Sequence, residues 1–190
     1  MLVLCIGDFH VPHRANDLPA KFKSLLIPGK IHHILCPGNL CTEAMYEYLR
    51  SVCSEVTVAQ GDFDESTKWP DTEVVTIGDF RIGLCHGHQV VPWGDSEALA
   101  ILQRKLDVDI LVTGHTHEFK AYKYEDRFVI NPGSATGAYS TVTKQPTPSF
   151  VLMDIDGIKA TVYVYELVEG EVKVDKLEFT KSSGGRGLLQ

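Results

Sequence analysis

The sequence has few features of a membrane-spanning protein or a disulfide-bonded one. No apolar run approaches the ~18 residues that cross a bilayer. Its apolar start, residues 1–6, lacks a basic segment and a small-residue cleavage site, which predicts a buried first strand rather than a signal peptide. The five cysteines are odd in number and contain no Cys-x-x-Cys pair, which disfavours a disulfide framework or a zinc ribbon. We therefore expect a cytoplasmic protein with reduced thiols that meets membranes only through partners.

Basic clusters are equally scarce. The 190-residue chain carries a net charge of -7, and its longest local basic cluster, Lys21-Phe22-Lys23, is typical of a solvated helix face. A duplex-binding protein would show a basic stripe, so nucleic-acid binding is disfavoured. The length suits one domain with a sizeable core. We place this domain at residues 1–181 and predict a disordered, Ser/Gly-rich tail at residues 182–190.

The first two thirds of the chain alternate short apolar runs with amphipathic segments. Helices are predicted at residues 42–52, with Thr42 as the N-cap, and at residues 96–106. Gly78-Asp79 predicts a hairpin turn between two strands. The strands predicted in this part are residues 2–7, 31–36, 55–59, 73–77, 81–85 and 110–113. Such βαβ-like alternation favours a parallel or mixed sheet.

The last third consists of β-branched, alternating runs. Residues 119–124 and 127–130 predict a hairpin, and residues 149–155, 159–168 and 171–179 predict an antiparallel meander. The whole pattern predicts an α/β fold in which two sheets pack face to face as a β-sandwich flanked by helices, an α-β-β-α arrangement.

Five short motifs carry metal-binding residue types, and each comes directly after a predicted strand. They are Gly7-Asp8-Phe9-His10, Gly38-Asn39, Gly61-Asp62-Phe63-Asp64, His86-Gly87-His88 and Gly114-His115-Thr116-His117. Ligand sites in open α/β sheets gather at the carboxyl ends of strands. Imidazole together with carboxylate suits zinc, manganese or iron. We predict a metal-competent site formed by Asp8, His10, Asn39, Asp62, His86, His115 and His117.

The spacing within two motifs adds a geometric expectation. Asp8 and His10 are alternate residues, as are His115 and His117, so on an extended backbone each pair would face one side. Taken singly, each residue has an ordinary structural alternative: a buried histidine is usually a hydrogen-bonded core residue, and an aspartate often caps a turn. The ordered set of five motifs favours the metal-site interpretation.

At these motifs the chain resembles the metallophosphoesterase superfamily, whose calcineurin-like fold holds two divalent metals, here expected to be zinc or manganese. Three positions depart from the active enzymes. Asn39 stands where they have a bridging aspartate, and Asp62 where they have an asparagine, so weaker or partial metal occupancy is expected. Phe63 replaces the histidine that serves the leaving group. Phenylalanine cannot transfer a proton, a step that typically contributes ~10²–10⁴-fold.

Longer segments, at residues 7–14, 86–95, 131–139 and 148–155, resemble the phosphoesterase-like subunits of retromer across residues 1–181. The resemblance implies a non-catalytic interaction subunit of an endosomal coat that acts in retrograde endosome-to-Golgi transport. It also implies a position on the endosomal or prevacuolar membrane reached through the complex. A working divalent-metal-dependent phosphodiesterase or phosphatase, with His88 or metal-bound water as the acid, is the alternative.

The same resemblance implies two docking surfaces. The metal-site face would bind the carboxyl-terminal half of a helical-solenoid subunit through the apolar run Val90, Val91, Pro92 and Trp93. A second apolar patch on the opposite side would bind regulators such as a TBC-domain Rab GTPase-activating protein. Its expected members are Leu2, Leu152, Tyr163 and Tyr165. Each surface has a structural alternative, in which Trp93 packs under its own loop and Leu152 is buried within its strand.

Overall fold

The computed structural model describes residues 1–182 of the chain, so the predicted tail at residues 182–190 lies outside the described part except for Ser182. Within residues 1–182 the chain forms three helices and eleven strands. The helices are α1 (Ala20–Leu25), α2 (Glu43–Val52) and α3 (Ser96–Leu106). The strands are β1 (Leu2–Cys5), β2 (His33–Cys36), β3 (Val56–Val58), β4 (Thr72–Ile77), β5 (Phe80–Cys85), β6 (Ile110–Val112), β7 (Phe119–Tyr124), β8 (Arg127–Pro132), β9 (Ser149–Asp156), β10 (Lys159–Val168) and β11 (Glu171–Thr180).

These strands form two mixed sheets. The first has the order β11-β10-β9-β1-β2-β3, in which β1, β2 and β3 run parallel and β9 to β11 form an antiparallel meander. The second has the order β4-β5-β6-β8-β7, with parallel pairs in its centre and a hairpin at each edge. The predicted α/β sandwich is thereby confirmed, together with the turn at Gly78-Asp79 and the meander.

The two sheets enclose the main core. Val3 and Val151 of the first sheet pack with Ile110 of the second in one buried cluster. The outer faces are covered by helices: Phe22 of α1 meets Phe150 of β9 edge to face at 4.7 Å, and Leu99 of α3 packs on the second sheet. Each apolar stripe is therefore buried against another layer, as an α-β-β-α sandwich requires.

Two local predictions are confirmed only in part. Lys21 and Lys23 of the basic cluster are solvated, but Phe22 between them is fully buried because α1 lies across the first sheet. Thr42 is the N-cap of α2, as predicted, but its hydroxyl makes no capping hydrogen bond. At α3 the cap is complete, since Asp95 accepts a hydrogen bond from the Ala98 amide at 2.9 Å.

The cysteines and the helices have the following properties in the structure. All five cysteines are buried and free. Among residues 1–182, no helix combines the length and the apolar character needed to span a membrane.

Candidate metal centre

The five motifs meet at one end of the sandwich, where β1, β2, β3, β5 and β6 end. They place two sets of donor atoms side by side. Asp8, His10 and His117 form the first set, and Asp62, His86 and His115 form the second. Within each set the ligand atoms lie within 4.8 Å of one another. The first set is buried and the second opens towards solvent, so one metal position would be more enclosed than the other.

The backbone reaches this arrangement differently from the prediction. Asp8, His10, His115 and His117 are not extended, because their φ angles are 49°, 48°, 70° and 60°. This left-handed conformation is unfavourable for residues with side chains. Hydrogen bonds from elsewhere in the chain compensate: the amides of Asp8 and His10 donate to the carbonyls of Gly38 and Asn39 at 3.0 and 3.1 Å. The expectation that His115 and His117 face the same side is therefore wrong, because the two residues belong to different donor sets.

Asn39 lies at the centre of the donors, but with its amide turned. Its Oδ1 accepts a hydrogen bond from the Phe63 amide at 2.9 Å. Its Nδ2 faces both sets, at 3.2 Å from His10 Nε2 of the first set and 3.0 Å from Asp62 Oδ1 of the second. An NH₂ group has no lone pair to offer a cation. Metal ligation by Asn39 therefore stays a prediction, and it requires the amide to rotate away from Phe63.

The charges of the donors fit a bound cation. Burial alone would raise the pKa of Asp8, but the charges of His86 and His117 outweigh it and lower the pKa. The same balance holds for Asp62. Burial would raise its pKa, but the nearby imidazoles of His115 and His86 and the hydrogen bond from Asn39 lower it. Burial lowers the pKa of His86 and His117, yet their bonds and charges with the carboxylates raise it overall. The raised pKa values favour positive charge on the imidazoles beside these carboxylates, where divalent cations would otherwise supply it.

His10 differs from the other two imidazoles. Burial lowers its pKa to about 4, and the attraction of Asp8 only partly offsets this. His10 is therefore neutral at physiological pH and already in the form that binds metals. Chemically, the two sets match the imidazole and carboxylate donors of zinc or manganese.

Asp64 has a structural task that its motif did not predict. In active enzymes its counterpart is expected to orient the missing histidine. Here its carboxylate accepts three backbone hydrogen bonds, from Asn39 at 2.9 Å, Gly61 at 2.8 Å and Cys41 at 2.8 Å. It therefore ties the loop after β2 to the loop after β3 and fixes the positions of Asn39 and Asp62.

Asp64→Ala is expected to lower the free energy of unfolding by ~2–4 kcal/mol, because three backbone amides lose a charged acceptor. Asp64→Asn keeps one acceptor oxygen, so roughly half of that loss is expected. Urea denaturation followed by circular dichroism measures both. Asp175→Ala, at an exposed position on β11, is the control, with an expected change within about 0.5 kcal/mol. An Asp64→Ala variant as stable as the control would show that the three hydrogen bonds contribute nothing.

Phe63 lies at the mouth of the site rather than in the core, and its side chain is 47 % exposed. Its ring meets the ring of His10 edge to face, with centroids 5.4 Å apart. The cleft beneath it has a volume of about 290 Å³. Its lining residues are His10, Arg14, Asn39, Asp62, Phe63, His88, Trp93, His115, His117, Ser140 and Thr141.

His88 reaches the cleft but is poorly suited to replace the lost acid. Burial, followed by the charge of His86, lowers its pKa, which favours the neutral imidazole over the imidazolium that a general acid needs at neutral pH. Its buried Nδ1 has no hydrogen-bond partner among the described residues. The charges of Asp62 and Asp71 raise its pKa too little to offset burial. Within the described residues no carboxylate is hydrogen-bonded to this imidazole, so it lacks the usual arrangement of a general acid.

The loop after His88 presents apolar side chains to solvent. Val91 is 76 % exposed. Pro92 is also exposed, whereas Val90 packs partly against the cluster under α3. Trp93 is anchored by its indole N–H, which donates to the His88 carbonyl at 3.1 Å, and its ring lies 4.5 Å from that of His115. It nevertheless remains 45 % exposed, so packing under the loop is only partial.

Sequence reasoning missed part of this rim. Tyr139 is 57 % exposed and Val142 is 48 % exposed, on the loop that also contributes Ser140 and Thr141 to the cleft. Arg14 completes the rim, with its guanidinium over the Phe63 ring. None of the three follows a strand in a metal-ligand motif, so only their position in three dimensions reveals them.

The second predicted patch lies on the outer face of the first sheet. Leu152 of β9 pairs with Leu4 on one side and with Tyr163 of β10 on the other. Tyr165 stacks on Phe150, with ring centroids 4.7 Å apart. Leu2, Leu152, Tyr163 and Tyr165 are all partly exposed. Burial of Leu152 within its strand is thus incomplete, and this face keeps apolar area in contact with water.

Comparisons with known proteins agree with this geometry. Residues 1–157 match the family model of the calcineurin-like phosphoesterase superfamily domain. Vacuolar protein sorting-associated protein 29 of Schizosaccharomyces pombe is 50 % identical over 185 residues, covering 95 % of this chain and 99 % of that protein. Wild-type Vps29 of Entamoeba histolytica complexed with Zn²⁺ is 53 % identical with a TM-score of 0.90, covering 95 % and 100 % of the two chains. Vps29 of Cryptosporidium parvum is 43 % identical with a TM-score of 0.92, covering 95 % and 98 %.

Proposed function

This chain belongs to the vacuolar protein sorting-associated protein 29 family, within the calcineurin-like phosphoesterase superfamily, and from that premise we propose that it is a non-catalytic interaction subunit of the retromer endosomal sorting complex. Its role would be in retrograde transport from endosomes. Residues 1–181 would form the working domain. The chain would reach the endosomal membrane through the complex rather than by a segment of its own.

One observation carries the proposal: exposed apolar side chains surround the metal cleft. The loops that line it present Phe63, Val91, Trp93, Tyr139 and Val142, each between 45 % and 76 % exposed. Clustered apolar exposure of this kind marks protein interfaces. A catalytic mouth would instead need a proton donor at position 63, and Phe63 provides apolar surface there. We propose that this face docks on the carboxyl-terminal half of a helical-solenoid subunit.

The metal site has a supporting place in this proposal. Asp8, His10 and His117 would hold one divalent cation, and Asp62, His86 and His115 a second. Zinc is favoured over manganese by the zinc-bound relative. Bound cations would supply Lewis-acid and charge-stabilising chemistry in an active enzyme. In this chain the six donors come from loops after four strands, β1, β3, β5 and β6, and their task would be to fix the rim in the shape that the partner binds.

The second patch would bind regulators. A partly exposed apolar surface on the first sheet is formed by Leu2, Leu152, Tyr163 and Tyr165. Val174 of β11 pairs with Tyr165 of β10 and extends this surface, with a side chain that is 48 % exposed. Such a surface suits an apolar loop or turn of a partner, for which a TBC-domain Rab GTPase-activating protein is the expected type. The first patch lies on loops at the strand ends and the second on the face of the first sheet, so both partners could bind together.

A divalent-metal-dependent phosphodiesterase or phosphatase is the second candidate. The two nearly complete donor sets favour it. The absence of a suitably charged acid at Phe63 or His88 counts against it.

The proposal is tested by calorimetric titration of this chain with the recombinant carboxyl-terminal half of the solenoid subunit. A 1:1 complex with a Kd below about 1 µM is expected for an obligate subunit contact. No measurable heat and no co-elution in gel filtration would overturn it.

A further inference from the structure

Arg14 is held at the mouth of the metal cleft by four separate contacts. Its guanidinium carbon lies 4.4 Å from the centroid of the Phe63 ring and 5.0 Å from that of Tyr139. Its Nη1 donates a hydrogen bond to the Tyr139 carbonyl at 2.9 Å. Its backbone amide donates to the His10 carbonyl at 2.8 Å. The three contacts of the guanidinium give this long, flexible side chain a defined position before any partner arrives.

These contacts leave the binding edge of the guanidinium available. Aromatic rings engage the face of the planar group, whereas carboxylates bind at its N–H edge. The Tyr139 carbonyl uses one of five N–H donors. No carboxylate within residues 1–182 lies close enough to form an ion pair with Arg14, although Arg104 and Arg127 both have such partners.

The charge of Arg14 acts on the cleft. It is the one Arg or Lys among the cleft-lining residues of the described chain. Each donor set beneath it has a single carboxylate and two imidazoles, so divalent cations bound there would add to its positive charge. With such cations bound, the surface around Arg14 would be locally cationic on a chain whose net charge is -7. An anionic group is the complementary ligand.

Resting on the proposed docking of the metal-site face, we propose that Arg14 is the receptor for a carboxylate side chain of the solenoid subunit, held in position by Phe63 and Tyr139. The carboxylate would bind the free N–H edge while apolar side chains of the partner cover Val91 and Trp93. Phe63 then has a positive role. The residue that removes the catalytic histidine also supplies the ring that orients the arginine.

The experiment compares calorimetric affinities for the recombinant, unphosphorylated solenoid half. Arg14→Gln is expected to weaken binding at least tenfold, since a charged hydrogen-bonded pair is lost. Arg14→Lys keeps the charge without the planar fork and should be intermediate. Arg50→Gln, at an exposed position on α2, is the matched control and should bind as the wild type does. Melting temperatures establish that each variant is folded.

Two further arms separate a carboxylate receptor from a general packing residue. Raising the salt concentration should weaken the wild type more than Arg14→Gln. Arg14→Glu should bind very weakly, and changing one particular acidic residue of the partner to lysine should restore it. Phe63 is tested with a double variant. The losses of binding free energy caused by Phe63→Leu and by Arg14→Gln should be strongly non-additive when the two changes are combined, because the ring acts through the arginine. Each titration is made with zinc and with chelator, and the Arg14 effect should appear in both.

Equal binding by wild type and Arg14→Gln would overturn the inference while leaving the docking proposal intact. Failure of the wild type to bind would instead overturn the docking proposal. If Arg14→Gln weakens binding but no acidic position of the partner restores Arg14→Glu, the ligand of Arg14 is not a carboxylate. An effect of Arg14→Gln seen only with phosphorylated partner would assign a phosphate and also overturn the inference.

Discussion

Val91→Asp is expected to abolish binding of the solenoid subunit while leaving the fold unchanged. The Val91 side chain is 76 % exposed, so the free chain loses little packing. In the complex, the new carboxylate would be buried against apolar surface without a partner, which costs several kcal/mol. A loss of about 3 kcal/mol raises the Kd by more than 100-fold. Titration calorimetry measures the binding, and the melting temperature should remain within about 2 °C of the wild type.

Leu152→Asp provides the reciprocal comparison. It should retain solenoid binding and lose the regulator, whereas Val91→Asp should do the opposite. Leu152 is partly buried, so some loss of melting temperature is expected in that variant. Ile101→Asp, on α3 at 61 % exposure, places the same charge on apolar surface outside both patches and should change neither affinity. Equal loss of both partners in Val91→Asp, or solenoid binding unaffected by it, would contradict the assignment of two separate surfaces.

Zinc is expected to raise the melting temperature, and Asp8→Ala should remove most of that rise. Free zinc at about 100 times its Kd stabilises by ~2.7 kcal/mol, or roughly 5–10 °C for a chain of this size. Asp8 is the fully buried carboxylate of the first donor set, so its loss leaves two imidazoles without a neutralising charge. His13→Ala, an exposed histidine outside both sets, is the control and should keep the zinc effect. The same shift in all three proteins would point to nonspecific binding.

The zinc effect should also weaken as the pH falls. The pKa values of His86 and His117 are raised in the metal-free protein, so these imidazoles hold protons that zinc must displace. Asp8 and Asp62 have lowered pKa values and stay ionised, while His10, with a pKa of about 4, stays neutral. Acidification therefore protonates the His86 and His117 imidazoles and makes no further metal ligand available. Zinc affinity should fall between about pH 7.5 and pH 5.5, and an affinity that rises on acidification would show that other groups bind the metal.

The sequence predicted the sandwich and the place of the site because both depend on local patterns. Alternating apolar runs mark strands, and glycine-flanked Asp and His residues directly after them mark strand ends. The left-handed backbone of Asp8 and His115 could not be predicted, since it is stabilised by hydrogen bonds that cross the fold, such as the one from the His115 amide to Asp8 at 2.9 Å. The backbone conformation of these residues is therefore set by hydrogen-bond partners that are distant in sequence.

Side-chain roles around the site were harder to predict for the same reason. Asp64 reads as the orienter of a missing histidine, yet it bonds three amides across two loops. The sequence does not show which way the Asn39 side-chain amide is turned. Its orientation is set by the Phe63 backbone amide, which donates a hydrogen bond to Asn39 Oδ1. Arg14 and Tyr139 meet only because loops after β1 and β8 converge. The residue type determines which interactions a side chain can make, and the tertiary contacts determine which of these interactions it makes.

The central claim is that this metal-site face binds a protein instead of turning over a phosphoester. Hydrolysis of bis-p-nitrophenyl phosphate in excess Mn²⁺, compared between wild type and Asp8→Ala, tests it most directly. We expect that neither protein gives turnover above the background of the buffer and metal. Steady wild-type turnover that Asp8→Ala abolishes would contradict it and establish the chain as a working phosphodiesterase.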